Sequence, residues 1–118
     1  MSSMLFIMTH PPHGSSDARE GLDAILAASA VCDDIRVLFD ADGVWQLCQG
    51  QQPEAILQRH IEPTYAMLEL YDIEQLYVSK QALKQRHLDI DVLALAPQVV
   101  DTSQLKQLLH HSDIVLRF

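Results

Sequence analysis

The chain has 118 residues, close to the commonest size of a single domain, so one domain over residues 1–118 with one hydrophobic core is expected. Apolar residues make up 48% and charged residues 20%, which excludes a disordered chain. Sixteen acids stand against eight bases, a net charge of −8, which argues against holding nucleic acid unaided, because affinity for phosphates comes mostly from Lys and Arg. No run of about 18 apolar residues is present, so no transmembrane helix is expected. Met1-Ser2-Ser3-Met4 lacks the basic start of a signal peptide. The expected location is the cytoplasm, where the two cysteines, Cys32 and Cys48, would be free thiols.

Strand-length apolar segments alternate with helix-length segments, the pattern of an α/β fold with a mostly parallel sheet. Met4-Leu5-Phe6-Ile7-Met8 is continuously apolar and suits a central strand covered on both faces. His10-Pro11-Pro12-His13-Gly14 breaks it. Ser15, Ser16 and Asp17 offer helix caps, and Asp17 with Glu20 resembles a capping box. Leu22, Ile25, Leu26 and Ser29 then form a helical face to about Cys32. Residues 35–39 read as the second strand. Asp42-Gly43 makes a turn, and Asp42 can cap a short helix through Cys48. Pro53 and Pro63 each suit a helix start; the Pro63 helix carries Tyr65, Met67, Leu68 and Leu70. Residues 73–78 form the third strand. Ser79 can cap a helix over residues 80–87, with His87 at its C-terminal end. Residues 88–96 read as a loop with a short extended piece. Gln98-Val99-Val100 is a fourth strand. Leu105, Leu108 and Leu109 mark a helix capped by Asp101, Thr102 or Ser103, and residues 113–117 close the sheet. The expected architecture is thus a sheet of about five mostly parallel strands covered by helices.

In open α/β sheets ligands bind beyond the carboxyl ends of the strands. The first strand–helix turn holds His13, Gly14, Ser15 and Ser16, a possible anion turn through backbone N–H groups. No GxxxxGK[ST] or GxGxxG supports it. His10 and His13 have metal-ligand spacing, but Pro11-Pro12 forbids a helix there and no further ligands accompany them, so no metal is expected. Asp40-Ala41-Asp42-Gly43 fails as a calcium loop, because Val44 stands at the third acidic position. Cys32 falls at helical spacing from Ile25 and Leu22, and neither cysteine has the helix start or cation that activates a thiol. Trp45, Tyr65, Tyr71 and Tyr77 are possible interface residues. No His–Asp partner makes Ser79 a nucleophile. Neither a cofactor nor a catalytic apparatus is expected.

Several segments carry a resemblance in order and spacing. They are Pro12-His13-Gly14 with Arg19-Glu20-Gly21-Leu22-Asp23-Ala24, then Asp33-Asp34, and Ala41-Asp42-Gly43-Val44 with Gln46-Leu47 and Gly50-Gln51. Leu70-Tyr71-Asp72-Ile73-Glu74-Gln75 follows, and Asp113 with Leu116-Arg117-Phe118 closes the series. Spanning nearly the whole chain, they resemble the DsrF-like branch of the DsrE/DsrF/DsrH sulfur-relay family. The resemblance implies a parallel α/β subunit that assembles with TusB-like and TusD-like subunits in a dimer of heterotrimers. That complex passes persulfide sulfur from TusA towards TusE for 2-thiouridine at the tRNA wobble position. The related complex of dissimilatory sulfur oxidation is the alternative. In the family the sulfur-carrying cysteine of the TusD/DsrE-like subunit stands just after the third strand. Here Tyr77-Val78-Ser79-Lys80 occupies that stretch, with Ser79 near the cysteine position. The resemblance therefore implies a non-catalytic subunit that holds a cysteine-bearing partner; direct persulfide transfer through Cys32 or Cys48 is the rival.

Overall fold

The computed structural model describes residues 3–11, 14, 16–48, 68 and 73–118. Five strands form one sheet in the order β4-β3-β2-β1-β5: β1 is Met4–Met8, β2 Ile35–Phe39, β3 Gln75–Ser79, β4 Gln98–Val100 and β5 Ile114–Arg117. Every neighbouring pair is parallel. Between them lie α1 (Asp17–Ser29), α2 (Lys80–Gln85) and α3 (Thr102–His110), with a 3₁₀ helix over Ala41–Leu47.

The continuous apolar run of β1 now has its explanation. Phe6 is in register with Val37, and Val37 with Leu76, while Leu5 and Ile7 alternate to the opposite face. The Phe6 face carries the larger core. There α1 contributes Leu22 and Ile25, the 3₁₀ helix Val44 and Leu47, and α2 Ala82 and Leu83. The other face holds Leu5, Ile7, Leu38 and Val100, against which Tyr77 and the α3 residues Leu105 and Leu108 pack. A strand covered on both sides can spare no polar position. Each fully buried Phe, Leu or Ile on it contributes roughly 1.5–3 kcal/mol.

Local chemistry sets the ends of the elements, and it moves several sequence expectations. The N-cap of α1 is Ser16, with no side-chain cap bond; its hydroxyl donates to the Glu20 carboxylate at 3.0 Å. Asp17 is already helical, so the expected Asp17–Glu20 box is absent. The capping box is instead on α3, where Asp101 accepts from the Gln104 N–H and Gln104 accepts from the Asp101 N–H. Helix α1 stops at Ser29 rather than near Cys32. The Ser29 hydroxyl donates to the Leu26 carbonyl at 2.6 Å, and the next turn tightens as the Val31 N–H reaches Ala28 O. Such back-bonding competes with helix propagation.

The 3₁₀ helix is capped by Asp40, not Asp42. The Asp40 carboxylate accepts from the Ala41 N–H at 2.8 Å and its carbonyl from the Gly43 N–H. Ala41 turns the chain at once, at φ 48°. Strand β3 runs two residues later than expected at its start, because its ladder begins with Gln75 opposite Arg36; Ile73 is buried outside the ladder. Helix α2 ends at Gln85, and His87 lies past it at φ 54°. The segment before β4 holds a 3₁₀ turn, Ile90–Val92, and a single antiparallel bridge from Leu93 to Cys48. The expected helix starts at Pro53 and Pro63 lie outside the described residues.

Candidate functional site

A cleft of about 350 Å³ opens beyond the carboxyl ends of β2, β3 and β4. Asp40 and Ala41 form one wall, Ser79 with Gln81, Ala82, Gln85 and Arg86 the second, and Thr102 with Leu105 the third. Each wall begins where a strand hands over to a helix, so each is built on a cap. This is the position at which parallel α/β sheets place ligands.

Ser79 sits at the centre of the arrangement. It is the last residue of β3 and the N-cap of α2, only 5% exposed. Its hydroxyl accepts from the Ala82 N–H at 3.2 Å. That bond satisfies one of the donors a helix start leaves unpaired. The residue is thus committed to structure, near the position at which the sequence resemblance implies a sulfur-carrying cysteine in a sister subunit. Among the described residues no Cys or His lines the cleft, and an unassisted serine hydroxyl is a weak nucleophile.

The sequence missed the clamp that holds the cleft's two main walls together. Arg86, just past α2, donates through Nε and Nη2 to the Asp42 carboxylate at 3.2 and 2.9 Å. Its Nη1 also donates to Ala82 O. The partners are 44 residues apart, and no local pattern pairs them. Beneath the clamp Gly43 passes against β1 so closely that a Cβ there would stand 1.8 Å from the Met8 carbonyl oxygen. The family-like Asp42-Gly43 pair therefore has two separate duties: one residue anchors Arg86, the other admits the backbone. A second missed contact is that of buried Gln46, whose Nε2 donates to the His10 carbonyl at 2.7 Å and fixes the loop after β1.

The cysteines lie elsewhere. Cys48 is buried at the end of the 3₁₀ helix, its Sγ 3.8 Å from the Val44 carbonyl, and burial pushes its thiol above the ordinary value. Cys32 is half-buried after α1, towards the amino ends of the strands, and its thiol donates to Asp34 O at 3.6 Å. It lines a separate cleft with Ser29, Asp33 and Glu74. Neither thiol lines the Ser79 cleft, and the two form no disulfide.

Of the anion turn, Gly14 is exposed at φ 97° and Ser16 caps α1, while His13 and Ser15 lie outside the described residues. His10 Nε2 lies 3.7 Å from the Asp17 carboxylate in an exposed pair. Among the interface candidates, Trp45 is 37% exposed on the 3₁₀ helix. Tyr77 is half-buried against α3. Tyr65 and Tyr71 lie outside the described residues. Among the described residues no three His, Cys, Asp or Glu side chains gather as a metal site, and no helix is long and apolar enough to cross a membrane.

Comparison with known proteins adds the following. The model of the DsrE/DsrF-like family matches residues 2–118. A Vibrio vulnificus protein named as a TusC homolog is 46% identical over 118 residues, the whole of both chains. The TusC protein of Shigella flexneri serotype 5b is 42% identical over 119 aligned positions, again with both chains fully covered. Among solved structures, the ychN protein of E. coli superposes with a TM-score of 0.85 at 20% identity. A protein of unknown function from Methanobacterium thermoautotrophicum superposes with a TM-score of 0.66 at 11% identity. Each covers 100% of both chains, and at these identities they show the fold alone.

Proposed function

The chain belongs to the DsrE/DsrF-like family, and from that membership we propose that it is a non-catalytic subunit of a TusBCD-type sulfur relay. In this reading it assembles with TusB-like and TusD-like subunits in a dimer of heterotrimers in the cytoplasm. The complex takes persulfide sulfur from TusA and passes it towards TusE, for 2-thiouridine at the tRNA wobble base.

The observation that supports a non-catalytic role is Ser79. Sulfur transfer needs a thiolate that attacks the outer sulfur of the donor persulfide; a new S–S bond forms, the donor's S–S bond breaks, and the donor leaves as a thiolate. At the strand–helix junction this chain offers a hydroxyl, and that hydroxyl already caps α2. Cys48 is a poor substitute, because burial disfavours its thiolate. The part left to the chain is to hold and orient a cysteine-bearing partner. Its net charge of −8 suits protein partners better than direct contact with tRNA.

The test is to tag the chain in its native host, isolate it gently and weigh the intact assembly. Two co-purifying small subunits, one of them with a reactive cysteine, are expected. A lone chain or a homo-oligomer would overturn the reading. Persulfide labelling of the isolated chain separates the rival: labelling that disappears in Cys32→Ser or Cys48→Ser would make this chain itself a carrier.

A further inference from the structure

Strands β1 and β2 each have a strand on both sides, and every residue in them is apolar but Arg36. The Arg36 side chain is only 22% exposed. It lies on the α3 side of the sheet, the side of Leu38, Tyr77 and Val100. A charge taken out of water there is costly unless it is paired.

The pairing within the chain is partial. Arg36 Nη2 donates to Asp34 Oδ2 at 3.5 Å, and Nε lies 3.4 Å from Oδ1. A good charge-assisted pair closes to about 2.7–2.9 Å. The buried Nε completes no hydrogen bond, and among the described residues nothing accepts from Nη1. Asp34 is also shared, since it accepts from Gln75 Nε2 at 3.1 Å. The contact orients the guanidinium and leaves most of its donors open.

Arg36 lines a pocket of about 210 Å³ between α3 and strands β2, β3 and β4. Tyr77 and Gln98 line it from the sheet, and Gln104, Gln107 and His111 from α3 and its C-terminal end. Gln104 spends its side-chain oxygen on the Asp101 N–H and keeps its NH2 group. Among the described residues no Asp or Glu lines the pocket, in a chain that has sixteen of them. Donors therefore surround one incompletely paired cation.

That arrangement selects a ligand class. The volume falls below the roughly 300–1,000 Å³ of drug-sized sites, so the ligand is small. Asp34 offsets one charge on the same guanidinium, which favours a monoanion over a dianion. A planar carboxylate matches the guanidinium fork. The glutamine amides both donate and accept, which suits an amide beside that carboxylate. We propose that this pocket binds a small carboxylate with a neighbouring amide, seated on the Arg36 guanidinium with the Tyr77 hydroxyl donating to it. The inference stands apart from the relay reading and needs no residue of the Ser79 cleft.

The test is titration of the full chain with N-acetylglycine, followed by NMR at the Arg36 Nε–H and the glutamine side-chain NH2 groups. Saturable shifts there are expected, with a midpoint in the millimolar range. Neutral N-acetylglycinamide should give none, and inorganic phosphate should bind more weakly. Arg36→Gln and Tyr77→Phe should each weaken binding about tenfold, and Arg36→Lys, which keeps the charge without the fork, should not restore it. Tyr77→Phe keeps the ring and decides the matter should the Arg36 variants not fold. Absence of saturable shifts at those groups, equal binding of the neutral amide, tighter binding of phosphate, or unchanged binding in folded variants would each overturn the proposal. The source of the carboxylate is read from the protein as isolated from its native host. If N-acetylglycine binds and any assembly stays whole, the ligand is a free molecule; if it displaces a partner chain, the carboxylate is that partner's. An assembly that neither binds N-acetylglycine nor yields to it would overturn the site.

Discussion

Replacing Gly43 by alanine should be among the most damaging single-methyl additions in this fold. The new Cβ would meet the Met8 carbonyl oxygen at 1.8 Å and its carbon at 2.5 Å, against an ordinary contact of 3.4–4 Å. Both neighbours are backbone, so no side chain can swing aside. The end of β1 or the 3₁₀ helix must retreat by about 1.6 Å, the gap between 3.4 and 1.8 Å. The same Met8 oxygen accepts the Asp40 N–H at 3.0 Å, and that bond joins β1 to the end of β2. Overpacking costs about 1–3 kcal/mol and a disrupted buried hydrogen bond about 1–3 more, for a sum of about 2–6 kcal/mol. Domains of this size have roughly 5–15 kcal/mol in all. With a urea slope of about 1–3 kcal/mol per molar, the unfolding midpoint should fall by about 2 M. Gly14→Ala is the control: it is exposed with nothing within 4 Å, and its φ of +97° leaves only backbone strain, about 1–2 kcal/mol. A Gly43→Ala midpoint within about 0.5 M of the parent would refute the close-approach argument.

Three further outcomes follow from the same geometry. Ser79→Ala removes the α2 cap and should cost about 1 kcal/mol, seen as a fall of about 4 °C in Tm, while assembly with the sister subunits persists; loss of assembly without loss of stability would give Ser79 a direct role in binding. Arg86→Ala and Asp42→Asn should each cost about 0.5–1 kcal/mol, less in high salt, because the Asp42 side chain is 56% exposed and solvent screens the pair; a double variant no worse than either single one would show the two act as one clamp. Cys48 should alkylate more slowly than Cys32 in the native protein, and the two should react alike in denaturant. Because the folded Cys48 thiol is raised above its unfolded value, its contribution is fully present below that ordinary value and is lost as pH rises through the folded one; stability that climbs with pH across that range would contradict the burial assigned to it.

The sequence reading and the structure differ mostly where side chains reach across the fold. Residues 35–39 were legible as a strand because Ile35, Val37, Leu38 and Phe39, broken only by Arg36 and bounded by Asp34 and Asp40, allow little else. The Ser79 cap was equally legible, since a serine between an apolar strand and a helical segment has one obvious use. Of the caps offered before α1 the backbone took Ser16 and not Asp17, and the cap expected at Asp42 falls two residues earlier, at Asp40, because Ser, Asp and Asn can each serve and only the backbone selects among them. Ala41, at φ 48°, made that selection at Asp40, and nothing in its side chain announces it. The Arg86–Asp42 clamp and the Gln46–His10 tie were invisible, because long-range polar pairs leave no periodic trace.

What the amino-acid order determined by itself is the parallel α/β character of the chain, its β1 centre, its family likeness and the missing thiol after β3. These are matters of local hydrophobic pattern and residue identity. Tertiary structure alone decided that the Ser79 hydroxyl is already engaged, that both thiols lie away from its cleft, and that β5 pairs with β1 at one end of the described sheet. Each depends on which strands are neighbours, and strand order is set by packing the whole sheet between its helices rather than by any one segment.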